Sequence, residues 1–230
     1  LLPLPRRHDG PDRYAMCPHL TNSQGPLNPR AYVTVSVLHN PTGSTLTLAA
    51  AHEVLKLAEA HELLLIEDDS YGWLAPPQAP RLAALDQLQR TVYIGGFSKI
   101  LTPSWRVGFL AASPALVERV VNRKLLTTLA SPALAERALA FALEQGALRR
   151  HADRIVNQLS AARTRTTRLA LDAGFAWAVP PQGLFGWLDT GVNTDRLAES
   201  MHAQGWLLAP GSAPTLRRCR SSWKWMSSRG

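Results

Sequence analysis

A chain of 230 residues suffices for one large or two small domains, and its apolar fraction of 46% permits a sizeable core. No apolar run reaches the length of a membrane span, and the opening Leu1-Leu2-Pro3-Leu4-Pro5-Arg6-Arg7 is too short and Pro-rich for a secretory leader. The formal charge of +8 raises nucleic acid as a partner, but much of it is local: Arg217, Arg218, Arg220, Lys224 and Arg229 crowd the tail without an acid, and no basic helix or helix-turn-helix pattern accompanies them, so this segment is expected to bind no nucleic acid.

In chain order, Leu1 to Pro5 reads as the end of a strand, and residues 13–29 show no period and read as irregular. Ala31 to Leu38 is a β-branched run that predicts a buried strand, closed by the turn His39-Asn40-Pro41-Thr42-Gly43. Thr47 is placed to cap a helix from Leu48 to His61, with Leu48, Ala51, Val54, Leu55 and Ala58 on one face. Leu63-Leu64-Leu65-Ile66 is wholly apolar, as a strand covered on both faces requires, and it runs into Glu67-Asp68-Asp69-Ser70-Tyr71. Pro76 to Pro80 is a loop, Leu82 to Leu88 a short helix, and Val92 to Ile94 a strand that delivers Ser98-Lys99. Val107 to Leu110 predicts a further strand.

After Pro114 the character changes. Ala115 to Leu129 and Pro132 to Leu171 predict helices, broken at Gly146 and near His151, with the arginines from 149 to 168 on a solvated face. Ala176 to Val179 and Leu184 to Leu188 predict strands around the turn Pro180-Pro181-Gln182-Gly183. A helix over Asp195 to Gln204 and a short strand Trp206 to Ala209 follow. Alternating strands and helices predict an α/β domain with a mainly parallel sheet. The organisation expected is a partial large domain over 1–130, irregular at 1–29; a long helix and small α+β domain over 131–212; and an irregular basic tail over 213–230. Cys17 and Cys219 lie far apart without metal-ligand spacing, which predicts a reduced, cytoplasmic protein with no metal site.

Ligands of parallel sheets sit beyond the carboxyl ends of the strands, and Asn40, Asp68 and Lys99 each follow such an end. The set suits pyridoxal 5'-phosphate (PLP). An acid, Asp68, can hold the pyridine nitrogen protonated. Asn40 and Tyr71 can bond the phenolic oxygen. Lys99 can form a Schiff base with the carbonyl and move a proton at the substrate. Ser98 and Arg106 can bind the phosphate. Plainer uses exist for some of them: Asn40 as a turn cap, Tyr71 as a core aromatic, Asp68 as a helix cap. Asp69 rivals Asp68.

Asn40-Pro41-Thr42-Gly43, Asp68-x-x-Tyr71, Ser98-Lys99 and Arg106-x-Gly108 resemble, in order and spacing, the fold-type-I class I/II aminotransferases. The wording is most similar to the aminotransferase-like domain of the MocR branch of GntR-type regulators, through His39 to Gly43, Ile66 to Asp69, Phe97 to Lys99 and Gly183 to Phe185. The resemblance covers Arg30 to Ser212. It implies the PLP-dependent transferase fold type I and amino-group transfer between an amino acid and a 2-oxo acid. Lys99 is then the Schiff-base lysine and Asp68, three before the tyrosine, the pyridine-nitrogen partner. Tyr71 and Asn40 serve the phenolic oxygen, and Ser98 and Arg106 the phosphate. It also implies a homodimer.

Departures from the family are specific. Gly96 stands where the family has a hydroxyl residue, no upstream phosphate-binding helix or stacking aromatic is found, and no arginine in 213–220 is assigned to a substrate carboxylate. The stretches 13–29 and the tail lie outside the family wording and read as out-of-frame translation. Three readings follow: an aminotransferase, a PLP-binding effector domain of a transcription regulator without turnover, or an inactive truncated remnant with an exposed sheet edge.

Overall fold

The computed structural model describes residues 3–21, 29–211 and the backbone of 221–224. The chain divides into two compact units: Leu1–Val37 with Thr45–Arg154, and Leu38–Ser44 with Ile155–Gly230. The sequence reading ends the large domain at 130.

In the first unit β1 (Arg6–Arg7) pairs antiparallel with β2 (Gly10–Pro11), and α1 (Arg13–Thr21) follows. This helix corrects the irregular reading of 13–21. Its start is fixed by Asp12, whose Oδ1 accepts from Tyr14 N at 3.1 Å, and Met16 is buried in the core. Next come β3 (Ala31–Thr34), α2 (Leu48–Ala60), β4 (Leu64–Asp68), α3 (Leu82–Asp86), β5 (Thr91–Gly96) and β6 (Gly108–Ala111). The sheet order is β3-β4-β5-β6, with β3, β4 and β5 parallel and β6 antiparallel. The strand expected to Leu38 stops at Thr34, and Leu38 has φ 49°.

Thr47 caps α2 as expected, its side chain accepting from Ala50 N, so the helix presents Ala51, Val54 and Ala58 to the core. They pack with Met16, Leu46, Leu63, Leu65 and Leu82. Burial of each large aliphatic side chain stabilises the unit by about 1.5–3 kcal/mol. Among the described residues no strand pairs with the outer edge of β3 or of β6, and Val33 on the one and Phe109 on the other are 61% and 45% exposed.

The helices α4 (Pro114–Thr127) and α5 (Ala133–Glu144) lead through Gly146, at φ 62°, into α6 (Ala147–Asp172). The expected break at Gly146 is present. The one near His151 is not, because that residue is held in the helix by contacts described below.

In the second unit β7 (Ala176–Gln182), β8 (Phe185–Asp189), α7 (Thr194–Ala203), β9 (Ala209–Pro210) and β10 (Ser221–Lys224) form a sheet of order β7-β8-β10-β9. Three expectations change here. Pro180 and Pro181 lie within β7, not in the turn. That is tolerated because β7 is an edge strand, where a missing N–H costs no ladder bond. Trp206 to Leu208 is not strand, and Trp206 and Leu207 are largely exposed. The basic tail, read as irregular, contains β10, which pairs antiparallel with β8 (Trp223 opposite Gly186) and with β9 (Ser222 opposite Ala209). Cys219, Arg217, Arg218, Arg220 and Arg229 lie outside the described residues. Among the described residues no helix is long and apolar enough to cross a membrane, and no group of His, Cys, Asp and Glu has metal-site geometry.

Candidate active site

Five of the six expected site residues stand in the first unit. β4 and β5 run parallel with Asp68 in register with Ile94, so both strands release the chain at the same rim. Asp68 is the last residue of β4. Its Oδ1 accepts from Ser70 N at 2.9 Å and from Ser70 Oγ at 2.5 Å, which fixes the carboxylate in a turn. Its Oδ2 has no hydrogen-bond partner among the described residues. Three residues on, the Tyr71 side chain is buried, and Lys99 Nζ lies 5.8 Å above the centre of its ring. That ammonium–ring contact is the one interaction the structure gives Lys99 Nζ among the described residues.

Ser98 and Lys99 sit in a turn that leaves β5. The Phe97 carbonyl accepts from Ile100 N (3.2 Å) and Leu101 N (2.8 Å), and the Phe97 and Ile100 side chains are buried. The chain returns through a 3-10 turn, Pro103–Trp105, to Arg106 at φ 53° and then to β6. Since Gly96 and Gly108 are registered partners across this hairpin, Ser98 and Arg106 each stand two residues beyond the last pair. Gly108 permits the close neck: a Cβ there would lie 3.0 Å from the Gly95 carbonyl. Arg106 is exposed, and neither its guanidinium nor the Ser98 hydroxyl has a partner among the described residues.

Asn40 belongs to the second unit and is described with it. Its turn is closed on itself: Gly43 N donates to the His39 carbonyl at 2.6 Å, His39 N donates to the Ser44 carbonyl, and Thr42 Oγ1 lies 3.0 Å from His39 Nδ1. The Asn40–Pro41 bond is cis and Asn40 is exposed. Gly43, at φ 72°, lies against the β7–β8 turn, where a Cβ would meet the Phe185 carbonyl at 3.1 Å. Gly183, at φ 57°, lies as closely against Leu38. The pairing of the Asn40 turn with the Gly183-Leu184-Phe185 wording is thus a packing requirement.

Two neighbours of Asp68 have other duties, which sequence reasoning missed. Glu67 is fully buried and accepts from Leu82 N and Ala83 N, both at 2.8 Å, capping α3. Asp69, also buried, accepts on Oδ2 from Arg81 Nε at 3.1 Å and from the Tyr93 hydroxyl at 2.5 Å. Burial, then the bond to Asp69, push the Tyr93 phenol well above its ordinary range. These groups line a pocket of about 220 Å³ with Gly72, Trp73 and Phe109, and neither Lys99 nor Asp68 is among its lining residues. The only available signal for the Glu67 cap was its position in an apolar strand, where an acid must find donors.

Residues 10–224 match the family described as aminotransferase class I and II. The match takes in the 13–29 stretch and part of the tail, beyond the span expected from sequence. The aromatic-amino-acid aminotransferase 1 of Thermococcus litoralis is 29% identical over 188 residues, covering 78% of this chain and 45% of the relative. The HTH-type transcriptional regulator TauR of Rhodobacter capsulatus is 33% identical over 204 residues, 84% of this chain and 41% of the regulator. Among solved structures, the kynurenine aminotransferase of Pyrococcus horikoshii, in complex with PMP, superposes with a TM-score of 0.85 at 24% identity, over 97% of this chain and 59% of that one. The multiple substrate aminotransferase of Thermococcus profundus does so with a TM-score of 0.83. The chain therefore spans less than half the length of the two curated relatives and carries part of the PLP-dependent transferase fold type I. With a family match over nearly all of its residues and that fold beneath it, the chain belongs to the class I and II aminotransferases.

Proposed function

We propose that the chain is a PLP-dependent aminotransferase-like protein that takes an amino acid and a 2-oxo acid, with Lys99 as its catalytic residue. The observation that carries the reading is the rim itself. Asp68, with one carboxylate oxygen unengaged, and Lys99, whose amine contacts only the Tyr71 ring among the described residues, leave neighbouring parallel strands, and Ser98 and Arg106 stand on the two sides of one hairpin neck. An acid, a primary amine and two anion-binding donors match a molecule with a basic ring nitrogen, a carbonyl and a phosphate, so the donor set fits PLP. Gly96 offers no hydroxyl to that phosphate, which leaves Ser98 and Arg106 as its holders here.

Bound there, PLP supplies an electron sink for bond breaking at an amino acid's α-carbon. The chain's own groups do the rest. Asp68 Oδ2 would accept from the protonated ring nitrogen and keep it cationic. Lys99 Nζ would hold the cofactor's carbonyl carbon, with loss of water, and as a free amine would carry a proton to or from the substrate's α-carbon. Tyr71 and Asn40 would donate to the phenolic oxygen, and Arg106 and Ser98 would donate to the phosphate. Relatives that are aminotransferases support this reading. With it we propose a cytoplasmic homodimer that binds no nucleic acid through this segment. Relatives that are HTH-type regulators favour a second one, an effector domain that binds PLP without turnover.

The test is an absorption spectrum of the purified chain with added PLP, repeated with Lys99→Ala. A visible band present in the wild type and lost in the variant supports cofactor attachment at Lys99. No band in the wild type overturns the proposal in favour of an inactive remnant. If amino acids convert the band and a 2-oxo acid restores it, the enzyme reading stands. A band shift without product is the effector reading.

A further inference from the structure

The turn that carries Lys99 is held from a distance by α6. The Ile100 carbonyl, one residue past Lys99, lies 2.9 Å from His151 Nε2, and the other ring nitrogen, Nδ1, lies 2.9 Å from Arg154 Nη2. A guanidinium only donates and a carbonyl only accepts. Arg154 therefore donates to Nδ1, and the ring is neutral with its proton on Nε2, directed at Ile100. His151 is 51 residues from Ile100 in sequence, so this contact is tertiary. Its helix is seated by Leu148 and Ala152, both buried, and its start is set by the Gly146 turn.

The two ends of the Phe97–Leu101 turn are thus fixed separately. The first carbonyl, Phe97, accepts from Ile100 N and Leu101 N within the turn. The last, Ile100, is fixed only through His151 among the described residues. Ser98 and Lys99 lie between these anchors. Their side chains make no hydrogen bond among the described residues, so apart from the Lys99–Tyr71 ring contact their direction depends on the backbone beneath them. The geometry points to His151 as a positioning residue for Lys99: the neutral ring holds the Ile100 carbonyl, and Arg154 holds the tautomer that makes this possible. This rests on the reading that Lys99 receives PLP. The hydrogen-bond arrangement itself does not depend on it.

Two measurements on the full chain keep the two ideas apart. Amide hydrogen exchange without cofactor reads the turn, and PLP titration reads the lysine. His151→Leu removes the donor. His151→Gln keeps an N–H for Ile100 and an oxygen for Arg154. We expect His151→Leu to speed exchange of Ile100 and Leu101, with α2 unchanged, and to weaken PLP retention about fivefold, the size of one net hydrogen bond. His151→Gln is expected to restore both to within about twofold. Exchange in the turn identical in wild type and His151→Leu overturns the inference. So does a loss that His151→Gln fails to rescue while both variants melt alike, because a packing role alone would give that. If the wild type binds no PLP, the proposed function fails, and faster exchange confined to the turn still supports the anchoring role. Should His151→Leu not fold, Arg154→Leu releases the tautomer and leaves the ring in place. It is expected to speed exchange in the turn about twofold, and no change there overturns the inference.

Discussion

Removing the Glu67 carboxylate is expected to destabilise the first unit more than removing the half-buried Asp68 carboxylate. The side chain is fully buried and accepts two backbone N–H groups at 2.8 Å, both from buried residues at the start of α3. In Glu67→Ala neither Leu82 N nor Ala83 N retains that acceptor. A buried donor left unpaired costs about 1–3 kcal/mol, so two cost roughly 2–6 kcal/mol. Glu67→Gln keeps one acceptor and turns an NH2 group toward the other N–H, so the loss is expected at about half of that. Urea denaturation followed by tryptophan fluorescence measures both: the midpoint should fall in the order wild type, Gln, Ala, at an unchanged slope. Glu67→Ala within about 0.5 kcal/mol of the wild type would refute the reasoning, since that is the range of an ordinary surface substitution. The consequence reaches the site, because Glu67 is the residue before Asp68 and its anchorage fixes where that carboxylate leaves the strand.

Asp68→Asn keeps the Oδ1 acceptor that holds Ser70, so stability should stay within about 0.5 kcal/mol while PLP retention falls roughly tenfold or more, the worth of a charge-assisted bond; equal retention by titration would remove Asp68 from the site. The Tyr93 phenol has a folded-state pKa raised above its ordinary value, so its contribution is complete below about pH 10 and is lost as the pH climbs from there toward the raised value. Urea midpoints from pH 8 to 11 should therefore fall less steeply in Tyr93→Phe than in the wild type, and parallel curves would count against a Tyr93 phenol raised by burial and by Asp69. Gly43 and Gly205 both have positive φ, but a Cβ on Gly43 meets backbone at 3.1 Å whereas one on Gly205 meets nothing within 4 Å. Gly205→Ala should cost about 1 kcal/mol and Gly43→Ala distinctly more, read as the difference in their melting midpoints.

What could be read without coordinates was what rests on local chemistry. Thr47 caps α2 three residues away, and the short apolar run at Leu63 to Ile66 reads as the strand β4. What escaped was decided by partners distant in sequence. The segment 13–21 has a weak helical pattern and contains Pro18, yet Asp12 starts the helix and the burial of Met16 holds it. Pro180 and Pro181 read as a turn because the edge position of β7 is invisible in sequence. Ser221–Lys224 has no alternation of its own and becomes a strand by pairing with β8 and β9. Arg81 and His151, one holding Asp69 and the other the Lys99 turn, carry no motif at all.

The three consecutive acids at the end of β4 join these points. Alternation along a strand sends neighbouring side chains to opposite faces, so Glu67 and Asp68 cannot share an environment. Glu67 goes to the buried face and finds the start of α3. Asp68 goes to the rim, where Ser70 fixes one oxygen and the other stays open. Asp69, past the last registered pair, turns back into the unit and is taken by Arg81 and Tyr93. Sequence alone offers Asp68 and Asp69 as rivals for one role, separated only by the count to Tyr71. The structure gives them different chemistry: Asp69 is buried, its Oδ2 taken by an arginine and a phenol and its Oδ1 enclosed, whereas Asp68 is only half-buried and holds its unengaged oxygen at the strand end, where a cofactor can reach it. That difference makes Asp68→Asn and Asp69→Asn separable in one experiment. The first should lose PLP and keep its melting midpoint. The second should lose the midpoint first, and the opposite result would exchange their roles.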